Sequence, residues 1–330
     1  MKPFNYQKAD SSNAAVQELS SNNQAKFIGG GTNLLDLMKS GVEVPDSLID
    51  ITKLPLAEIT ELPNGGVRIG ALARNTATAN HPLIREKYPL LSQAFLSGAT
   101  QQLRNMATVG GNLMQRTRCY YFYDTATPCN KREPGSGCPA VEGFNRIHAI
   151  LGASESCIAT HPSDMCVALA ALDAVVRVVS ASGEEREIPA TEFHRLPGDT
   201  PNIDTNLQEN ELITAVDLPP SYFSHSGAKS YYLKVRDRAS YAFALVSVAA
   251  VLEIENNSIK TARLAMGGVA HKPWRATNAE EILIGATQGE EVFRQAAETA
   301  LEGAQGYQHN NFKIELAKRA IVRALMTVAE

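Results

Sequence analysis

FIGGGTNLLDLM, residues 27–38, is the stretch whose reading decides the fold. A short apolar run at 25–28 enters three glycines, and Leu34, Leu35, Leu37 and Met38 then follow Thr32 and Asn33 at helical spacing. The pattern predicts a strand, a tight turn and a capped helix. Glycine lets a backbone turn at positive φ and approach a ligand closely, while a helix start offers unpaired N–H groups to a phosphate. A pyrophosphate suits that arrangement; a plain connecting turn is the alternative. The stretch is neither G-x-G-x-x-G nor a P-loop, since no Lys follows the glycines in the required place, so the usual Rossmann and nucleotide-hydrolase readings fail.

Working outward, short β-rich pieces (SLIDI, LAEITEL, GVRIG) alternate with turns between 42 and 70, and Asn64-Gly65 signals a hairpin. Residues 76–96 read as helix in two pieces broken at Pro82 and Pro89, and 98–105 lead into a second glycine turn, ATVGGNL at 107–113. Residues 117–143 lose all periodicity and form a loop of unusual length for a compact domain. A buried helix is expected at 165–174, with strands at 175–180, 211–218, 231–235, 245–254 and 260–266. Two helices follow, the last with Ile314, Ala317, Ile321, Ala324, Leu325 and Val328 on one face and Asn311 as a cap. A domain boundary is expected at 219–227.

The composition sets the outer limits. With 330 residues there is room for two or three domains, and 44% hydrophobic against 20% charged residues is an ordinary globular balance. A net charge of −4 provides no diffuse attraction for nucleic acid or anionic membrane. No apolar run approaches the length of a membrane span, and the N-terminus shows no export signal. All five cysteines fall between 119 and 166, which is unlike disulfides scattered through a secreted fold and points to a local cofactor or metal site. Cys119, Cys129, Cys138 and Cys157 sit in polar, Gly- and Pro-rich surroundings. Their spacing, without C-x-x-C pairs, leaves zinc, unligated thiols and an iron–sulfur cluster open. Cys166 follows HPSDM at 161–165 and leads into an apolar run, so it is expected inside a helix opened by Ser163, as a small buried side chain. The histidines show no metal-ligand or triad spacing and are expected on the surface or in the core. No hydrolase motif is present.

The two glycine turns and the Ser-Asp helix start, in this order, resemble the FAD-binding subunit of the xanthine oxidase family of molybdenum hydroxylases. ELITAVDLP at 211–219 and YLKVRDRASYAFALVSVA at 232–249 extend the resemblance over nearly the whole chain. It implies an α+β protein: a two-lobed, PCMH-type FAD-binding domain at 1–222, with lobes at about 1–60 and 61–222, then a smaller α+β domain at 223–330. Lys26, Phe27, Ile28, Gly29, Gly30, Gly31, Thr32, Asn33 and Leu34 would hold the FAD pyrophosphate, with Thr108, Gly111 and Asn112 approaching from the second lobe. Asp164 would bind polar groups of the flavin chain and Ile213 would lie near the ring system. Lys234 would sit near the flavin's carbonyl edge, where a fixed cation stabilises reduced flavin.

About 45 residues separate the second glycine turn from the Ser-Asp helix, where typical xanthine dehydrogenases pass directly. This insert, about 115–160, resembles that of a subgroup including bacterial periplasmic aldehyde oxidoreductases, whose flavin subunit carries a [4Fe–4S] cluster. The resemblance makes Cys119, Cys129, Cys138 and Cys157 its ligands. It further implies a molybdopterin-binding large subunit and a [2Fe–2S] small subunit as partners, and export in folded form with a partner that carries the signal; the alternative is a cytoplasmic protein. A self-contained flavin oxidoreductase and a zinc-tied electron-transfer scaffold are the competing readings.

Overall fold

The computed structural model describes residues 1–221 and 227–330. Its first lobe is a parallel sheet of β1 (Asn5–Lys8), β2 (Ala25–Ile28) and β3 (Ser47–Asp50) in the order β1-β3-β2. Parallel strands need crossovers, and these are the helices Ser12–Ser21, capped by Ser11, and Leu34–Ser40. Val16, Ala25 and Ile49 close this small core against Leu72, Val179 and Leu212, which belong to the second lobe.

The second lobe is an antiparallel sheet of β4 (Ile59–Glu61), β5 (Val67–Gly70), β6 (Val175–Ser180), β7 (Glu185–Pro189) and β8 (Glu211–Leu218), ordered β4-β5-β8-β6-β7. The Asn64-Gly65 hairpin joins β4 to β5, with Asn64 Oδ1 accepting from Gly66 N at 2.9 Å. Three helices, Asn75–Asn80, Pro82–Lys87 and Pro89–Ser97, replace the two expected pieces. Each proline opens a helix at its first position, where its missing N–H costs nothing. The helix Asp164–Ala171 is buried along its whole length, and Ser163 caps it as expected.

The third sheet, ordered β12-β11-β10-β9, comprises β9 (Lys229–Val235), β10 (Val246–Glu255), β11 (Ser258–Gly267) and β12 (Trp274–Arg275). Three helices follow rather than two: Thr277–Leu283, Glu290–Ala300 and Phe312–Ala329. The last buries Ala317, Ile321, Ala324, Leu325 and Val328, but Asn311 makes no capping bond and Ile314 only flanks the core. The fully buried residue of its first turn is Lys313, whose ammonium donates to the carbonyls of His148 and Gly268. The expected boundary between 222 and 223, and His225, lie outside the described residues.

The insert is ordered by what it touches at both ends. Tyr120–Tyr123 form one helical turn, where no periodicity was legible, and Phe122 is buried against Leu37. Asp204 accepts from Arg116 Nε at 2.7 Å and from Lys131 Nζ, and Arg116 also reaches Glu43 at 2.7 Å. Asp204 thereby ties the insert to the segment before β8, and through Arg116 to the first lobe. Burial alone would raise its pKa, but Lys131 and Arg116 hold it down to about 2. A carboxylate with a depressed folded-state pKa contributes its full stability above the unfolded value, near 4, and loses it as pH falls towards 2. Asp204→Asn leaves the buried Lys131 without a carboxylate and Arg116 with Glu43 alone, and is expected to lower unfolding stability by about 3 kcal/mol at neutral pH. The difference from the parent should shrink between pH 4 and 2, as denaturant titrations would show; equal stabilities at pH 7 would contradict the linkage.

Candidate functional site

Gly31 takes a φ of 71°, the left-handed turn expected of one of the three glycines. Gly30 is needed for a different reason: a Cβ there would overlap the Met106 carbonyl oxygen and stand 3.0 Å from Ala107 Cα. The first glycine turn therefore meets the approach to the second backbone to backbone. The second turn is itself stitched to the chain after β5, with Gly110 N donating to Ala71 O at 2.7 Å and Val109 N to Ala73 O at 3.0 Å. Thr108 is buried and caps the short helix Val109–Leu113 by accepting from Gly111 N at 3.1 Å.

Two chambers open on either side of this junction. The larger, about 850 Å³, is lined by Lys26, Phe27, Ile28, Gly29, Gly30, Leu34, Thr108 and Ile213, among others. The smaller, about 210 Å³, is lined by Asn112, Asp164 and Lys234, with Arg104, Arg236 and Tyr241. Gly111, Thr32 and Asn33 line both. The backbone N–H groups of Gly30, Gly31, Thr32 and Asn33 donate to no other group among the described residues. Unpaired donors at the waist of a long bipartite cleft fit a dinucleotide whose pyrophosphate lies between two ring-bearing ends.

One expectation needs correction. Asn33 does not cap the helix after it; its Oδ1 accepts instead from Arg116 N at 2.9 Å, so the first glycine turn is bonded to the start of the cysteine insert. Ile213 lines the larger chamber and Lys234 the smaller one. Lys234 is neither a solvated strand lysine nor a lone cation. Its side chain is 5% exposed, and Nζ lies 2.7 Å from Asp164 Oδ2 and 3.1 Å from Ser97 O. The other Asp164 oxygen accepts from Tyr232 OH at 2.8 Å, and Tyr232 also pairs with Ser247. Each Asp164 oxygen thus has a protein partner, while the side chain also lines the smaller chamber.

Cys119, Cys129, Cys138 and Cys157, far apart in sequence, line one small cavity inside the insert, with Lys131, Phe122 and His148. Burial pushes the Cys119 thiol up to about 12 and Cys157 up to about 11, and it raises Cys138. Four cysteines on one cavity could supply the donor set of a tetrathiolate centre, and binding a metal would displace their protons. Cys166 lies elsewhere, in the helix Asp164–Ala171, with its N–H on Ser163 Oγ. Its sulfur and ring nitrogens of His161 and His194 all lie within 4.8 Å of one another, a grouping that sequence spacing concealed. His194 Nε2 faces Leu113 O at 2.9 Å and so carries the proton, bracing the end of the second glycine turn. Burial lowers the pKa of both His194 and His271 to about 4 and takes His161 well below its ordinary value.

Residues 2–221 match the family of FAD binding domains in molybdopterin dehydrogenase, and 231–328 match the CO dehydrogenase flavoprotein C-terminal domain. The chain belongs to the molybdopterin dehydrogenase FAD-binding family. It is 51% identical over 325 residues to the aldehyde oxidoreductase FAD-binding subunit of Escherichia coli (strain K12), with 98% of each chain covered. The glyceraldehyde dehydrogenase medium chain of Sulfolobus acidocaldarius is 30% identical over 89% of this chain and 85% of its own. Among solved structures, quinoline 2-oxidoreductase from Pseudomonas putida 86 superposes with a TM-score of 0.75 at 25% identity, covering 100% of this chain and 98% of that one. This is the α+β, two-part flavoprotein architecture that the motifs implied, in an FAD-binding oxidoreductase chain of the molybdenum hydroxylase type.

The packing at Gly30 yields a test. Gly30→Ala adds only a methyl group, yet the two lobes must part to admit it, so flavin content after gel filtration should fall below half of the parent's. Full flavin occupancy in that variant would show that the close approach does not shape the site.

Proposed function

We propose that this chain is the FAD-binding electron-transfer subunit of a heterotrimeric, molybdenum-dependent aldehyde oxidoreductase. It would work with a molybdopterin-binding large subunit and a [2Fe–2S] small subunit, hold a [4Fe–4S] cluster of its own, and pass electrons to an external acceptor. The observation that carries this reading is the convergence of Cys119, Cys129, Cys138 and Cys157 in an insert bonded directly to the first glycine turn through Arg116 and Asn33. The likeness to the Escherichia coli aldehyde oxidoreductase subunit, 51% identical over nearly the full length, supports the aldehyde assignment. By the same likeness the complex is proposed to act in the periplasm, exported folded on a partner's signal.

FAD supplies the exchange between single-electron and two-electron carriers. This chain's own residues bind and orient it. Lys26 to Leu34 line the pyrophosphate waist, Thr108 holds the facing turn in shape, and Gly111 and Asn112 border it. The Lys234–Asp164 pair fixes a cation in the wall of the smaller chamber, which is proposed to take the flavin ring. Lys234→Ala removes the cation and leaves the Asp164 carboxylate uncompensated, both of which disfavour added negative charge. Flavin should stay bound with a lower reduction potential; potentiometry finding an unchanged potential would remove Lys234 from the flavin's surroundings.

Ser at Cys119, Cys129, Cys138 or Cys157 is expected to abolish or degrade the iron and sulfide content. Cys166→Ala, in its separate helix, should retain both. Iron analysis and low-temperature electron paramagnetic resonance decide this. Loss of the signal on changing Cys166, with Cys157 dispensable, would overturn the ligand assignment.

A further inference from the structure

His148 belongs to the returning leg of the insert, and its Nε2 lies 3.1 Å from Cys119 Sγ. The ring is 1% exposed, so water does not compete for either nitrogen. Its backbone is fixed from the third domain: Lys313 Nζ and Asn310 Nδ2 donate to the His148 carbonyl at 2.8 and 3.2 Å. On the other side Ala149 N donates to Ile158 O at 2.8 Å, which ties the histidine segment to the residue after Cys157. Among the described residues Nδ1 has no hydrogen-bond partner, so there the ring orientation serves the contact at Nε2. Backbone N–H groups approach the sulfurs as well, those of Phe122 and Tyr121 at Cys119 and that of Ala159 at Cys157, 3.5 Å away.

A sulfur that ligates a metal is a thiolate and can only accept, so the facing nitrogen must carry the proton. We propose that His148 is a positioning residue that donates Nε2–H to the Cys119 thiolate and thereby raises the reduction potential of the cluster held by the four cysteines. This rests on the cluster reading given above. One-electron reduction adds negative charge that spreads onto the sulfur ligands, and a fixed donor at one sulfur stabilises the reduced form more than the oxidised form. No bond forms or breaks and no proton transfers; the electron comes from the chemical reductant in a titration or from a reduced carrier in turnover. The third domain enters through Lys313 and Asn310, which hold the donor in place without touching a cysteine.

The test is a potentiometric titration, followed by low-temperature electron paramagnetic resonance, of the parent, His148→Phe and His148→Gln, each purified with whatever accompanies the full chain. His148→Phe keeps a planar ring but has no donor. At a fixed solution potential its ratio of reduced to oxidised cluster should fall about tenfold, equivalent to ~59 mV for one electron. His148→Gln places an amide N–H near the position of Nε2 and should stay close to the parent. Loss of iron from the Phe variant alone, with the Gln variant intact at the parent potential, also supports the donor. An iron-replete Phe variant with unchanged potential, or loss of iron from both variants, overturns it. A parent protein without iron and sulfide fails at the earlier step and overturns the cluster reading itself, so the two failures are distinguishable.

Discussion

Between Gly30 and Met106 the chain leaves no room for a side chain, and the geometry of the site follows from that contact. It sets how closely the parallel-sheet lobe approaches the second glycine turn, and so where the unpaired N–H groups of 30–33 stand. It also divides the cleft into two chambers joined at Thr32, Asn33 and Gly111. A ligand with two ring-bearing ends and a doubly charged middle matches that division, because backbone donors at the waist require neither a lysine nor a P-loop.

The second constraint is electrostatic. The Lys131, Lys313 and Lys234 side chains are buried, and two of them are satisfied alike: Lys131 by Asp204 and a carbonyl, Lys234 by Asp164 and a carbonyl, whereas Lys313 has two carbonyls. Burial lowers Lys313 to about 7, with Arg146 acting in the same direction. Lys131 lines the cavity of the four cysteines, and its charge acts to lower the pKa of Cys157, which burial raises. A fixed cation and an imidazole donor at this cavity favour the thiolate form that a metal centre requires.

What was legible in the sequence was local chemistry. The glycine turns, the Asn64-Gly65 hairpin, the Ser163 cap, the strands at 175–180 and 211–218 and the separateness of Cys166 each depend on a few consecutive residues. What escaped depends on partners distant in the chain. Asn33 has the side chain of a helix cap, but Arg116 offers its backbone N–H and takes the oxygen. Lys313 occupies a position that an amphipathic pattern does not assign to the core, and only the His148 and Gly268 carbonyls above it explain its burial. Asp204 sits in a polar loop with no motif, yet it joins three segments. Lys234 was legible as a cation near the cleft, whereas its pairing with Asp164, 70 residues earlier, was not.

The central claim is that one chain holds a flavin and an iron–sulfur centre in adjoining parts of one structure. Its most direct test is the cofactor content of the full chain, isolated anaerobically and separated from any accompanying subunits before analysis. The account predicts one releasable FAD with about four iron and four acid-labile sulfide per chain, and no stoichiometric zinc. Flavin without iron, or zinc in place of iron and sulfide, would contradict it.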